Sequence, residues 1–223
     1  NNSNLMTNPY QVLSRGDMLQ FFQRVSAHEV NHKADMPLGL QIGLAATLAD
    51  KGAIGHAQMA AATVRHAMAI GQQFMGLLMP LMQWQMTVKK QQVCLEYVDT
   101  LTASEKTQAP GVQRLLVDMM IAMHLLQARQ GSLENPQPIY LSVQHNLPNQ
   151  RSYYQNLFNC QIDDGATTNQ LRFKAISFDA PLPNSDAFVV DALVRVCIDM
   201  QAQLKAKDDV AMQIKRILAS RLG

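Results

Sequence analysis

The chain has 223 residues, of which 48% are hydrophobic, enough for one large domain or at most two small ones with a real core. Lys and Arg number 19 against 17 acidic residues, and a net charge of only +2 argues against a nucleic-acid-binding surface across the whole chain. Cys94, Cys160 and Cys197 are odd in number and widely spaced with no C-x-x-C, which argues against a disulfide framework or a structural zinc site and points to a reducing cytoplasm.

The opening "NNSNLMTNPYQ" is polar, lacks an initiator Met and shows no signal peptide. Residues 16–33 then read as a helix with Met18, Phe21, Phe22 and Val25 on one stripe, limited by Pro37. Leu40, Leu44 and Leu48 recur every four residues, so a second helix is expected to run to about Gly52. "GAIGHAQMAA" is short and punctuated by glycine, and reads as a connection or a strand. Thr63 is placed to cap a helix over about 64–79, with Pro80 beyond its end.

The period changes next. Met82, Trp84, Met86 and Val88 alternate with Gln83, Gln85, Thr87 and Lys89, the pattern of a half-buried strand. "QVCLEYVDT" is its expected antiparallel partner through a polar turn at Lys90–Gln91. Residues 111–129 return to helix, with Val112, Leu115, Leu116, Met119, Met123 and Leu126 apolar. "NPQPIYLSVQH" reads as a third strand, "QRSYYQNLF" as a short helix, and "CQIDD" and "NQLRFKAISF" as two more strands about Gly165. Two helices, 185–206 and 208–222, close the chain. The expected fold is α+β: a mostly antiparallel sheet of about five strands packed with helices, with helical N- and C-terminal segments. The longest apolar runs, such as "MGLLMPLM", are too short to span a bilayer, so no membrane contact is expected.

"HEVNH", His28 to His32, spells the zinc-protease pattern H-E-x-x-H. On a helix the two histidines share a face, with Glu29 beside them as a general base. A catalytic zinc needs a third protein ligand. The metzincin extension would need glycine and histidine where Asp35 and Leu38 stand. The other version needs a glutamate on a following helix, and only Asp35 and Asp50 are acidic between His32 and Glu96. The alternative of a zinc-dependent hydrolase through His28, Glu29 and His32 therefore lacks its context, and the three side chains read as a solvated helix face. No catalytic residue, metal or cofactor is assigned.

There is no G-x-S-x-G, P-loop or G-x-G-x-x-G; Gly39, Gly43, Gly52 and Gly55 are spaced for turns and close packing. Nothing in the sequence joins Cys160 to His145 as a reactive pair. Met59, Met68, Met75, Met79, Met82 and Met86 cluster in one third of the chain. They suit either an adaptable core or a pocket that moulds around an apolar ligand. The ligand candidates are Trp84, Met82 and Met86 on the apolar strand face, with Arg65, Tyr140 and Tyr153 as polar handles.

Three segments together resemble the N-terminal regulatory domain of AraC/XylS-type transcription regulators. The first, "LGLQIGLAATLADKGAIGHAQMAAATVRHAMAIGQQFMGLLMP", carries Gly39, Leu40, Gly43, Gly52, Gly55, Thr63, Ala67, Phe74, Leu77 and Leu78 at the shared positions. The second, "YYQNLFNCQIDDGATTNQLRFKAISFDAPLP", matches at Tyr154, Phe158, Cys160, Ile162, Gly165, Asn169, Leu171, Phe173, Pro181, Leu182 and Pro183. It departs at Asn159, Gln161 and Asp164. The third, "VAMQIKRILASRLG", is similar to the helix before the helix-turn-helix region.

The resemblance implies a domain over 1–206 that senses a small-molecule effector, with 207–223 leading to a DNA-binding domain absent from this sequence. Such domains often form homodimers, and the closing helices offer either a dimer face or further core. DNA would be read only by the absent portion, so this chain is expected not to bind DNA specifically by itself. The label "arabinose-binding" says little about the effector.

Overall fold

Period-two alternation builds one half of the molecule. β1 (Met82–Lys89) and β2 (Gln92–Asp99) pair antiparallel, with Trp84 opposite Tyr97 and Met86 opposite Leu95. Their turn is Lys90–Gln91, both at positive φ (47° and 65°), the twist that a two-residue hairpin requires. β3 (Pro138–Val143), β4 (Gln161–Asp164) and β5 (Asn169–Lys174) complete a five-stranded sheet in the order β1-β2-β5-β3-β4. All neighbours are antiparallel except β3 and β4. That parallel pair needs a crossover, and α8 (Arg151–Phe158) supplies it. Met82, Trp84, Val93, Leu95, Tyr97, Leu141, Leu171 and Phe173 face the core, while Gln83, Gln85 and Lys89 face solvent.

The computed structural model describes residues 14–31, 36–130, 135–147 and 149–222, the side chains at 30, 31, 130 and 207–222 excepted. Helices cover the apolar side of the sheet. α1 (Arg15–Asn31), α2 (Leu38–Ala45), α3 (Ala53–Met59), α4 (Val64–Gln73) and α5 (Met75–Leu78) precede it. α6 (Ala103–Gln108) and α7 (Pro110–Gln130) follow the hairpin. α9 (Ala175–Asp179) and α10 (Ala187–Leu222) end the chain.

α7 is the central helix. Val112, Leu115 to Ala122, Leu125 and Ala128 are buried, so it is enclosed on nearly every side. α2 lies against it with almost no side chain between the backbones. A Cβ on Gly39 would meet Leu115 O at 2.5 Å, and one on Gly43 would meet Met119 O at 2.3 Å and Ala122 Cβ at 2.8 Å. The glycines four apart are therefore what lets the helices touch.

The expected α+β architecture with a mostly antiparallel five-stranded sheet is what the chain adopts. Several local readings are corrected. The second helix stops at Ala45: Ala46 is extended, and Ala49–Lys51 forms a separate 3-10 turn before Gly52 at positive φ. "GAIGHAQMAA" is α3, not a connection or strand, because Ile54, Ala57 and Gln58 have a core to pack on. Thr63 caps α4 as expected, its Oγ1 accepting from His66 N at 3.1 Å, but the helix breaks at Phe74. β5 ends at Lys174, and the following "AISFD" is helical. α6, begun by the capping box of Thr102 and Glu105, was not anticipated. The two expected closing helices are one helix of 36 residues, whose interior holds no Gly or Pro to interrupt it.

Candidate functional site

The flank of α7 turned away from α2 carries polar residues in an apolar setting. His124 is buried, with Nδ1 3.0 Å from the Tyr97 hydroxyl. Its ring stacks on Tyr97 and meets the edge of Trp84 at a centroid distance of 4.5 Å. Burial, and then the charge of Lys51, hold its pKa well below the ordinary histidine range, so the ring is neutral. One turn on, Gln127 is 6% exposed, yet neither its Oε1 nor its Nε2 has a hydrogen-bond partner among the described residues. An unmet buried amide costs about 1–3 kcal/mol, which marks the position as unusual.

Gln127 lines a cavity of about 350 Å³. The loop at Thr47–Ala49 forms one wall, and Gln58 and Met59 of α3 with Val64, Ala67 and Met68 of α4 form another. Leu182, Pro183 and Asn184 close it. That last strap is tied to the preceding helices by Leu182 N donating to Ala62 O (2.9 Å) and Asp186 N donating to Ala60 O (2.9 Å). It leads directly into α10, whose Val190, Leu193, Val194 and Cys197 pack against the core, with α3 as its neighbour. Gln58 is fully engaged: Nε2 donates to Ala67 O at 2.9 Å, and Oε1 accepts from Lys51 Nζ at 3.3 Å.

A second cavity of about 200 Å³ adjoins the first at Thr47. Trp84 and His124 line it together with Lys51, Met75, Met79, Met119, Met120 and Met123. The sequence pointed to Trp84 through strand parity. Met119 and Met123 read only as the apolar face of their helix, and no motif in the local sequence marks Met120, Lys51, Gln58, His124 and Gln127 as cavity residues. The available signal was a helix apolar on all sides yet interrupted by Asp118, His124 and Gln127.

The six ligand candidates do not all converge. Trp84 is in the smaller cavity. Met82, fully buried, shares with Trp84 a separate depression beside Gln72 and Pro80. Met86 is half-buried, and its backbone N–H donates to Gln72 Oε1 at 3.0 Å. Arg65 lines neither cavity and forms a two-pronged ion pair with Asp179 (2.7 and 2.9 Å). Tyr140 donates to Asp163 Oδ2 at 2.8 Å, with the Arg172 guanidinium over its ring. Tyr153 is half-buried on α8.

The "HEVNH" residues have other settings. Glu29 Oε1 accepts from Leu38 N at 2.8 Å, capping the first turn of α2. His28 is exposed, and His32 lies outside the described residues. Among the described residues, no group of three or more His, Cys, Asp or Glu side chains is arranged to hold a metal ion. His145 meets Asp118 (3.2 Å) and the Tyr154 hydroxyl (3.3 Å), and Cys160 is half-buried with its thiol pushed up to about 11 by burial. Among the described residues no helix is long and apolar enough to cross a membrane.

The profile of the family described as "Arabinose-binding domain of AraC transcription regulator, N-term" matches residues 4–182. The chain belongs to this family. The AraC-type domain also resembles a solved structure, that of the transcriptional regulator CdpR from Pseudomonas aeruginosa, with a TM-score of 0.62. Identity is 13%, and the alignment covers 81% of this chain and 61% of that one, so the likeness is one of fold. No curated protein matches by sequence. The family is that of the N-terminal domain of a transcription regulator, and the cavities beside α7 lie in such a domain.

Proposed function

We propose that this domain binds a small effector in the larger cavity and passes the binding event to α10. The observation that carries this reading is Gln127: a buried carboxamide without partners, lining a cavity of about 350 Å³. A ligand offering one acceptor and one donor would meet both of its atoms by turning the amide, which lies behind the cavity wall, toward the cavity. The remaining lining is largely apolar, which favours a compact molecule with few polar groups over a polyhydroxylated sugar. Transmission runs through Leu182–Asn184, which line the cavity and enter α10. A ligand that fits one arrangement of this strap better than another shifts the helix by linkage. In the full regulator, α10 would lead to a DNA-binding part.

Dimerisation through α10 is the companion proposal. Val189, Ala192, Val196 and Met200 share a face at spacings of three and four, and all are exposed while Val190 and Cys197 are buried. A second copy of the same helix would cover that stripe. Sedimentation of the chain and of Val196→Lys tests this: a dimer that the charge disrupts is expected, and a monomeric parent chain overturns it.

Thermal-shift screening with metabolites, arabinose included, tests the effector reading. A true ligand at 100 times its dissociation constant adds about 2.7 kcal/mol to stability. The response is expected to vanish in Gln127→Leu. Compounds that stabilise both forms equally would move the site elsewhere, and a chain that no compound class stabilises is no effector receptor.

A further inference from the structure

The smaller cavity has a chemistry of its own. Met75, Met79, Met119, Met120 and Met123 supply much of its wall. Unbranched thioether side chains adapt to the shape of an apolar guest. The Lys51 ammonium is the cationic donor in this apolar surround, and the Trp84 indole N–H is closed off from the cavity. Trp84 is 5% exposed, and its indole N–H, which can only donate, has no acceptor among the described residues. The Lys51 ammonium has three protons to donate. Its hydrogen bond is the 3.3 Å contact to Gln58 Oε1, and none of the described carboxylates pairs with it.

The other polar groups do not fill this need. Asp50, the one carboxylate in the lining, turns back on its own loop and accepts from both Thr47 N and Thr47 Oγ1 at 2.8 Å. His124 is neutral and lies against the Tyr97 hydroxyl. What the cavity lacks is a compact acceptor with negative charge, attached to something apolar. A phosphate would need more cations and donors than one lysine provides.

We infer that the smaller cavity is a binding site for a small apolar carboxylate, its carboxylate held by Lys51 and its hydrocarbon part lodged among the methionines and against the Trp84 ring. This site is additional to the larger cavity and stands whether or not that cavity takes an effector.

Trp84 is the only tryptophan, so its emission reports on its own surroundings, this cavity and the depression beside Gln72 and Pro80. The whole chain is titrated with hexanoate, hexanol and hexylamine, with calorimetry in parallel. Hexanoate is expected to change the emission saturably and to bind about tenfold tighter than hexanol, the worth of one charge-assisted hydrogen bond. Hexylamine is expected to leave the emission unchanged. Lys51→Met is expected to lower hexanoate to the affinity of hexanol. The inference fails if hexanoate gives no saturable signal, if hexanol or hexylamine binds as well as hexanoate, or if Lys51→Met binds hexanoate undiminished. Calorimetric binding of hexanoate with silent Trp84 emission places the ligand elsewhere and also overturns it. Circular dichroism checks the variant's fold, and the three-ligand comparison on the parent chain decides the matter if that variant does not fold.

Discussion

On its α2 flank, α7 has no room for one methyl group: a Cβ on Gly43 would fall 2.3 Å from Met119 O. On the flank facing α3, α4 and α5, the same helix borders cavities of about 350 and 200 Å³. One side is closed by backbone contact and the other is left open by long, adaptable side chains. The contrast teaches that a single buried helix serves as anchor and as cavity wall at once. The rigid side fixes where Met119, Met123, His124 and Gln127 stand, so the cavity walls are a prepared surface and not a fluid one.

The comparison breaks most severely on the closed side. Gly43→Ala forces α2 off α7 and is expected to cost about 3 kcal/mol, lowering the melting temperature by roughly 6–12 °C. Calorimetric unfolding checks this, and an unchanged transition would mean that the helices separate freely. On the open side the sign reverses. Gln127→Leu removes an unmet amide and is expected to stabilise the empty domain by about 1–2 kcal/mol while abolishing the effector response. Denaturant unfolding reads the first effect, and a loss of stability would mean that Gln127 has a partner after all.

A third prediction sharpens the open side through pH. Burial pulls Lys51 down to about 7, so above that pH a carboxylate must bring a proton in with it. Hexanoate affinity is expected to fall as pH rises from about 7 to about 9, by up to about tenfold per unit. The cavity's other titratable groups, Asp50, whose pKa Thr47 lowers, and His124, held neutral, keep their charge across this window. In the empty protein the same shift opposes folding: the unfolded lysine, at 10.5, binds its proton first. Stability therefore declines as pH falls from 10.5 through 7 and then levels off, an effect that Lys51→Met removes.

The smallest effect lies far from both flanks. Glu105 accepts two bonds from Arg15 (2.6 and 2.9 Å) and a third from Thr102 N at 2.7 Å. These hold its carboxyl down at about 2 against an ordinary 4.5. The lowered value means a contribution present above pH 4.5 and lost as pH falls through 2. The protection of α1 amides against hydrogen exchange, taken relative to the intrinsic rate at each pH, should fall over that range in the parent chain, whereas Glu105→Gln should show less protection already at neutral pH with little change in overall melting.

What the sequence determined by itself are the features that depend on near neighbours. Met82, Trp84, Val93, Leu95 and Tyr97 announce their strands because alternate side chains share a face whatever else the chain does. Thr63 announces a helix start because its hydroxyl needs only the backbone three residues on. The resemblance to the AraC-type domain rested on motifs in order along the chain, from Gly39, Leu40 and Gly43 to Leu171, Phe173 and Pro183, and Gly39 and Gly43 kept their meaning as contact points. Tertiary structure alone decided that "GAIGHAQMAA" is helical and that α2 stops short, since partners in space outweigh weak local preferences. It alone also brought Thr47, Gln127 and Leu182 around one space, and Lys51, Trp84 and His124 around another. A cavity is the room that distant segments leave when they pack, and no periodicity along the chain encodes it.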